Sequence, residues 1–310
     1  MTSIPDTKFS NQQLAIAGLV LTSLFWAGNA IIARLTVGDI GPVSLSFWRW
    51  CLPCIYLAPF ILLAWKKHWQ IVKEHYLQVI TLAILSISTY NTILYQAAQH
   101  TTSINITLVS CALPIGTLLF TYLLLKDAPV RKQIIGGLIS LLGVLTILSR
   151  GDLDRLLNIR FNQGDLLMLV AVSCWSLYSV LLKKWPLDIP AFDMFCLFIS
   201  IGTPVIAPFY FWEISVSGSF ELSMANITLL AYLAVFPSVL AYIFWNNGVK
   251  HIGPGKTSLF SYLIPVFTSV LAITFLQEEL YLFHLIGGLL TFIGLYLSSV
   301  GKTKFEDSLT

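Results

Sequence analysis

The sequence predicts an all-α membrane protein whose ten transmembrane helices form two inverted five-helix repeats. First, 56% of the 310 residues are hydrophobic and only 11% are charged, whereas soluble domains carry about 25% charged residues. Second, the apolar residues fall into stretches of about 17 to 23, the length that crosses a bilayer core of about 30 Å. Third, the second half of the chain repeats features of the first half.

Ten apolar stretches are predicted as transmembrane helices, because a helix satisfies every backbone polar group inside lipid. In chain order they are Leu14–Ala33, Val43–Trp65, Tyr76–Ala98, Ser103–Leu125, Gln133–Ser149, Leu166–Leu182, Met194–Trp212, Ile227–Val249, Thr257–Leu276 and Leu282–Val300. We expect the first to be a retained helix rather than a cleaved signal peptide, since one basic residue, Lys8, precedes it and no A-x-A site follows. All the cysteines lie inside these stretches, which argues against a disulfide framework.

The basic residues in the loops predict the orientation of the chain. The N-terminus, the even-numbered loops and the C-terminus together hold thirteen lysines and arginines, against four in the odd-numbered loops. Because cytoplasmic loops carry the excess of these residues, both termini are predicted to be cytoplasmic. The net charge of +3 is attributed to this asymmetry rather than to nucleic-acid binding.

An internal duplication supports the repeat architecture. Residues 108–146 recur without a gap 151 positions later, as residues 259–297. The matched pairs include Pro114 and Pro265, Thr117 and Thr268, Asp127 and Glu278, Gly136 and Gly287, and Gly143 and Gly294. Since five helices per half is an odd number, the second half must enter the membrane from the opposite side. Such inverted repeats place a substrate site near the membrane midplane, between the halves.

The order of these features resembles a known family. Each half has a tryptophan in its first helix, Trp26 or Trp175, and a proline midway along its fourth, Pro114 or Pro265. An acidic residue closes the fourth helix, and a Gly-Gly pair followed by another glycine lies in the fifth. This set resembles the EamA domain of the drug/metabolite transporter superfamily. The two regions of resemblance are residues 14–150 and 165–301. The resemblance implies ten helices that move small metabolites, often outward.

Arg49 is the one full charge well inside a predicted helix. Charged side chains in lipid are expensive, so those that occur are functional candidates. One interpretation is an arginine that reaches back to the outer headgroups between Trp48 and Trp50. The other is a cationic anchor for a substrate carboxylate or phosphate at the outer mouth of a cavity.

The third helix of each half carries a polar and aromatic face. Asn91 and Tyr95 are four residues apart, and the 151-residue shift places Tyr242 and Asn246 at the matching positions. These four residues are predicted either to bind a ligand between the halves or to join the helices by hydrogen bonds.

Further candidates for the lining lie on the first helix of each half, just before the second copy of the duplication and within it. They are Trp26, Asn29, Trp175 and Tyr178, with weaker cases for Trp245 and Tyr262. Pro114 and Pro265 each remove a backbone hydrogen bond within a helix. They are interpreted either as hinges or as fixed bends that shape the cavity.

The inverted repeat and the resemblance together predict a secondary transporter of the cytoplasmic (inner) membrane that exports a small amino-acid-like metabolite by alternating access. An organic-phosphate or nucleotide-type exchanger, a passive channel and an integral-membrane enzyme are the alternatives. No Asp or Glu lies near the middle of a predicted helix, and no G-x-x-x-x-G-K-[ST] loop occurs. We therefore expect no catalytic residue, metal, cofactor or nucleic-acid partner, only a small-molecule substrate and the lipid bilayer; monomer and homodimer both stay open.

Overall fold

The computed structural model describes residues 10–158, 160–275 and 279–299, so Glu278 lies outside the described residues. The helices are α1 (Asn11–Leu35), α2 (Pro42–Tyr56), α3 (Ala58–Glu74), α4 (Tyr76–Ala83), α5 (Tyr90–Ala98), α6 (Ser103–Ser110), α7 (Ala112–Leu125), α8 (Arg131–Ser149), α9 (Leu153–Leu157), α10 (Gln163–Lys184), α11 (Ala191–Ser217), α12 (Met224–Leu233), α13 (Ala241–Leu259), α14 (Leu263–Phe275) and α15 (Leu282–Ser299). Two π-helical segments join α4 to α5 (Ile84–Thr89) and α12 to α13 (Ala234–Leu240), and a 3-10 turn, Phe260–Tyr262, precedes α14.

Eight helical segments within those ranges are long and apolar enough to cross a membrane, or nine if the bent pair of α2 and α3 is counted as one crossing. The chain is therefore a multi-pass membrane protein, and the predicted all-α fold is confirmed. One segment, Met224–Thr274, has 51 residues, more than twice the roughly 20 that one crossing needs. Gly253 interrupts it with a backbone φ of +80°. The exact number of ten helices stays a prediction.

The stretch predicted as one helix over 43–65 forms two helices instead. The chain bends by 77° between α2 and α3, and Leu57 is the residue at the bend. Pro59 explains the break, because it has no N–H to donate to the carbonyl of Ile55 and its ring clashes with that carbonyl. The bend makes α2 a short helix, and α2 is the helix that carries Arg49.

The two prolines of the duplication each disturb the turn that precedes them. Helix α6 ends just before Cys111, three residues ahead of Pro114, and the 3-10 turn ends at Tyr262, three residues ahead of Pro265. Both prolines lack the N–H that would bond to the preceding turn. The two disturbed turns are in contact, since the Tyr262 hydroxyl donates to the Cys111 carbonyl at 3.3 Å. Whether either proline acts as a hinge stays a prediction.

Helices α8 and α15 pack through the glycines of the two halves. A Cβ atom on Gly143 would lie 2.5 Å from the Gly287 carbonyl oxygen, and Gly136 and Gly294 approach each other in the same way. The Ser140 hydroxyl donates across this contact to the Thr291 carbonyl. The glycine face is therefore a contact between the two halves of one chain.

A carboxylate from α11 holds the first turn of α2. Glu213 accepts hydrogen bonds from the backbone N–H groups of Val43 and Ser44, at 3.0 and 2.7 Å, and from the Ser44 hydroxyl at 2.6 Å. These N–H groups have no partner within the helix, and a negative charge at a helix N-terminus is stabilising. Glu213 thus fixes the start of the helix that carries Arg49.

We expect Glu213→Ala to destabilise the protein by about 1–3 kcal/mol, because it leaves the N–H groups of this first turn without their charged acceptor. Glu221→Ala is the matched control, since Glu221 is exposed after α11. Detergent-unfolding titrations of both variants check the effect. Equal stabilities of the two variants would contradict the role of Glu213.

Candidate functional site

A cavity of about 620 Å³ lies between the two halves of the chain. It is lined by residues of α1, α2, α5, α6, α7, α13 and α14 and of the 3-10 turn. Among the lining residues are Trp26, Asn29, Arg49, Asn91, Tyr242, Tyr262 and Pro265. Its other lining residues are mostly apolar or small, so the polar groups stand out against a hydrophobic wall.

Arg49 lies in this wall and is buried, with only 1% of its surface exposed. Its Nε donates to the Ser238 hydroxyl at 2.8 Å, and its Nη2 donates to the Pro237 carbonyl at 2.9 Å. Its Nη1 donates to Asn29 Oδ1 and to the Tyr95 hydroxyl, both at 2.8 Å. These bonds hold the guanidinium inside the protein, which argues against an arginine that reaches back to the outer headgroups.

Among the residues that the structure describes, no carboxylate forms an ion pair with Arg49. In the described part of the chain, the ion pairs involve other residues, and the four groups to which Arg49 donates are neutral. Its guanidinium carbon also lies 5.2 Å from the centre of the Trp50 ring. A guanidinium has five N–H groups, so these four bonds leave one Nη2 N–H for a further acceptor. A buried charge is costly unless it is paired. Arg49 is therefore a buried cation in the cavity wall whose hydrogen-bond partners are all neutral.

The π-helical segment before α13 supplies two of the groups that hold Arg49. Pro237 interrupts the regular hydrogen bonds of a helix, and its carbonyl accepts from Arg49 and, at 3.1 Å, from Trp26 Nε1. The Ser238 hydroxyl donates to the Leu233 carbonyl while it accepts from Arg49. Pro237 and Ser238 are not among the residues predicted from the sequence. The signal in the sequence that marks this position is the proline inside the eighth apolar stretch, Ile227–Val249.

The polar faces of the two third helices are in direct contact. Asn91 donates from Nδ2 to the Tyr242 hydroxyl at 2.9 Å, and that hydroxyl donates to the Ser86 carbonyl. Tyr95 instead turns toward Asn29, to which its hydroxyl donates at 2.7 Å. The structure therefore joins these helices by hydrogen bonds and also exposes Asn91 and Tyr242 to the cavity. The role of each residue in binding stays a prediction.

Five of the predicted residues lie behind the cavity wall rather than on it. They are Tyr95, Trp175, Tyr178, Trp245 and Asn246. The ring of Trp175 is at the centre of an aromatic cluster, with ring centroids 5.3 Å from Trp26, 5.6 Å from Trp245 and 4.8 Å from Tyr90. Tyr90 also lines the cavity. It was not predicted as a site residue, although it directly precedes Asn91. This cluster packs against the back of the cavity wall.

The multi-pass helical fold, with a largely apolar cavity between its two halves, is the architecture of a membrane transporter. The chain belongs to the EamA-like transporter family, whose model matches residues 13–149 and again 162–300. This family is part of the drug/metabolite transporter superfamily, as the sequence resemblance indicated.

Two relatives and one solved structure are similar over almost the whole chain. The uncharacterized transporter YyaM of Bacillus subtilis is 28% identical, over 89% of this chain and 90% of its own. An uncharacterized transporter of Archaeoglobus fulgidus is 27% identical, over 91% of this chain and 96% of its own. A solved crystal structure has a TM-score of 0.74 at 16% identity and covers 96% of this chain and 98% of that chain. The last likeness concerns the fold alone.

Proposed function

We propose that this membrane transporter is a secondary carrier that exports a small amino-acid-like metabolite across the cytoplasmic membrane by alternating access. The observation that carries this proposal is Arg49, a buried cation in the cavity wall that has no acidic partner among the described residues. A substrate carboxylate would accept the remaining N–H of this guanidinium and neutralise its charge. Charge-assisted bonds of this kind contribute about 1.5–3 kcal/mol each.

The size and lining of the cavity support a small amphipathic substrate. Its volume of about 620 Å³ is within the usual range of about 300–1,000 Å³ for small-molecule sites. Trp26, Tyr90 and Tyr262 offer aromatic surfaces for a side chain, while Asn29 and Asn91 offer polar groups beside Arg49. The proposal involves binding and movement of the substrate, with no chemical conversion, so we propose that the protein is not an enzyme.

Alternating access is supported by contacts between equivalent positions of the two halves. Three hydrogen bonds join residues that are 151 positions apart, the same number as the shift of the duplication. They pair Asn91 with Tyr242, Cys111 with Tyr262, and Ser140 with Thr291. Residues that meet their own repeat counterparts are expected near a pseudo-two-fold axis, which is the arrangement of inverted repeats. We propose repeats over residues 14–150 and 165–301, with both termini in the cytoplasm.

A ligand screen tests the proposed substrate class. We expect at least one amino acid to raise the melting temperature of the purified protein, and its methyl ester to give no shift, because the ester lacks the charge that pairs with Arg49. Counterflow in proteoliposomes then separates a carrier from a channel, since only a carrier saturates and exchanges. If no amino acid stabilises the protein, or if the ester stabilises it equally, the proposed substrate is wrong.

Two asparagines provide a matched pair of variants for the same screen. Asn91 lies on the cavity wall and Asn246 lies behind it, and both are almost fully buried. We expect Asn91→Ala to weaken binding of a stabilising amino acid roughly 3- to 10-fold, the effect of one hydrogen bond of about 0.5–1.5 kcal/mol. Asn246→Ala should leave the affinity nearly unchanged. Equal effects of the two variants would contradict the assignment of this wall.

A further inference from the structure

Two asparagines in the wall of the 620 Å³ cavity present opposite chemical groups to it. Asn29 and Asn91 both line the cavity, and both are largely buried. An amide side chain has two N–H donors at one end and an acceptor oxygen at the other. Hydrogen bonds to neighbouring residues fix which end of each amide is held by the protein, so the end that remains for a ligand can be assigned.

Asn29 presents its N–H groups. Its Oδ1 accepts from Arg49 Nη1 at 2.8 Å and from the Tyr95 hydroxyl at 2.7 Å. A guanidinium carries donors and no acceptor, so the atom that it contacts must be the amide oxygen. Asn29 Nδ2 has no hydrogen-bond partner among the described residues, and it is not one of the unpaired polar atoms that are sealed from the surface. The wall beside Arg49 therefore carries a further donor.

Asn91 presents its oxygen. The Tyr242 hydroxyl donates its proton to the Ser86 carbonyl at 2.8 Å, because a carbonyl only accepts. The same hydroxyl must then accept from Asn91, so the amide atom that lies 2.9 Å from it is Nδ2. Asn91 Oδ1 accepts no hydrogen bond within the described ranges, and it too is not sealed from the surface. This part of the wall carries an acceptor.

A third asparagine shows that such an arrangement is not general in this protein. The Tyr178 hydroxyl donates to Asn246 Oδ1 at 2.6 Å, and Asn246 Nδ2 is unpaired but fully enclosed. Neither residue lines the cavity. This tyrosine–asparagine pair has the same chemistry as Tyr242 and Asn91, but it offers nothing to a ligand.

The donor and the acceptor lie on neighbouring turns of the same wall. Tyr95, which holds Asn29, is four residues from Asn91 on α5, about 6 Å along the helix axis. The Tyr90 ring lines the cavity directly before Asn91, and the face of an aromatic ring attracts a cation. Among the described residues, no carboxylate lines the cavity. Since Arg49 is positive, the lining suits a ligand cation only if the ligand also carries a negative group.

We propose that the two asparagines bind opposite ends of a zwitterionic substrate. The carboxylate lies at Asn29 Nδ2 beside Arg49, and the ammonium group donates to Asn91 Oδ1. Tyr242 is a positioning residue, because its hydroxyl holds the Asn91 amide with the oxygen toward the cavity. This inference rests on the proposed amino-acid substrate, and it adds the orientation of that substrate and the recognition of its amino group.

The test compares three probes by melting-temperature titration of the purified full-length protein. They are the amino acid that gives the largest shift in the screen, the same molecule without its amino group, and the same molecule without its carboxyl group. For L-leucine the truncated probes are isocaproate and isoamylamine. We expect the wild type to bind the amino acid roughly 10-fold more tightly than the deaminated acid, the effect of one hydrogen bond to a charged group. The amine should bind most weakly, because Arg49 repels it.

Variants at the acceptor end test the recognition of the amino group. Asn91→Ala should remove most of the preference, because the amino acid binds roughly 3- to 10-fold more weakly while the deaminated acid binds as before. Tyr242→Phe keeps the ring but frees the amide, so it should also reduce the preference; a purely structural role would weaken both probes alike. Tyr178→Phe is the matched control and should keep the full preference.

Asn29→Asp tests the donor end. The substitution keeps the oxygen that accepts from Arg49 and Tyr95, and it replaces the N–H groups with a second oxygen. We expect the deaminated acid to lose its binding, because two carboxylates would then face each other. Unchanged binding of the deaminated acid would place the carboxylate elsewhere and overturn the proposed orientation.

Two further outcomes would overturn the inference. One is an equal weakening of the amino acid and the deaminated acid by Asn91→Ala, and the other is an equal effect of Tyr242→Phe and Tyr178→Phe on the preference. These failures are distinguishable from failure of the proposed function. If no amino acid stabilises the wild type, the proposed function is wrong and this inference falls with it. If an amino acid stabilises the protein but is not preferred over its deaminated form, the inference alone is wrong.

Discussion

Arg49→Gln is expected to abolish the stabilisation of the protein by an amino acid and to lower its transport on the order of 10- to 100-fold. The loss corresponds to one charge-assisted hydrogen bond of about 1.5–3 kcal/mol. Glutamine is neutral, so the cavity no longer offers a partner for the substrate carboxylate. Transport is measured as counterflow in proteoliposomes, and binding is measured as a shift in melting temperature.

The unliganded protein should tolerate this substitution, because the acceptors around Arg49 have other donors. Asn29 Oδ1 still accepts from the Tyr95 hydroxyl, and the Pro237 carbonyl still accepts from Trp26 Nε1. The substitution also removes a buried charge that is paired with no carboxylate in the described ranges. Replacing buried ionic groups with neutral ones is often neutral or stabilising. We therefore expect a melting temperature without ligand that is close to that of the wild type.

Two controls separate the charge of Arg49 from its shape and from general effects. Arg49→Lys keeps the charge but loses the planar set of donors, so part of the ligand response should remain. Arg155→Gln removes a charge from an exposed arginine and should behave as the wild type. Normal counterflow in a folded Arg49→Gln protein would contradict the carboxylate assignment.

The fold class followed from composition and from the duplication, because lipid restricts the chain to helices. The same 151-residue shift also indicated residues that meet across the halves, such as Asn91 and Tyr242. The environment of Arg49 was beyond such reasoning. It depends on Pro237 and Ser238, almost 190 positions away in the chain, whose approach is set by packing and by a π-helical segment.

Two other features show where patterns in the sequence stop being informative. An apolar stretch of the right length predicted one helix over 43–65, but length carries no information about the direction of the chain after Pro59. Lys256 was counted among the loop charges, and it is buried. Hydropathy averages over a window, so it does not separate a lysine in water from one enclosed between helices.

Gly287→Ala is expected to destabilise the protein relative to Gly288→Ala by about 1–3 kcal/mol, the usual effect of overpacking a close contact. A Cβ on Gly287 would lie 2.6 Å from the Gly143 carbonyl oxygen and 2.6 Å from Ile147 Cγ1, whereas a Cβ on Gly288 meets Val266 Cγ1 at 3.7 Å. Both glycines are buried in α15 and are adjacent, so the gain in helix propensity, about 1 kcal/mol, cancels in the comparison. Unfolding titrations of the two variants give the difference. Gly143 lies on the other side of the same contact, since a Cβ on it would lie 2.5 Å from the Gly287 carbonyl oxygen. Gly143→Ala should therefore show the same loss of stability. Unchanged stability in both variants would mean that the halves do not meet through these glycines.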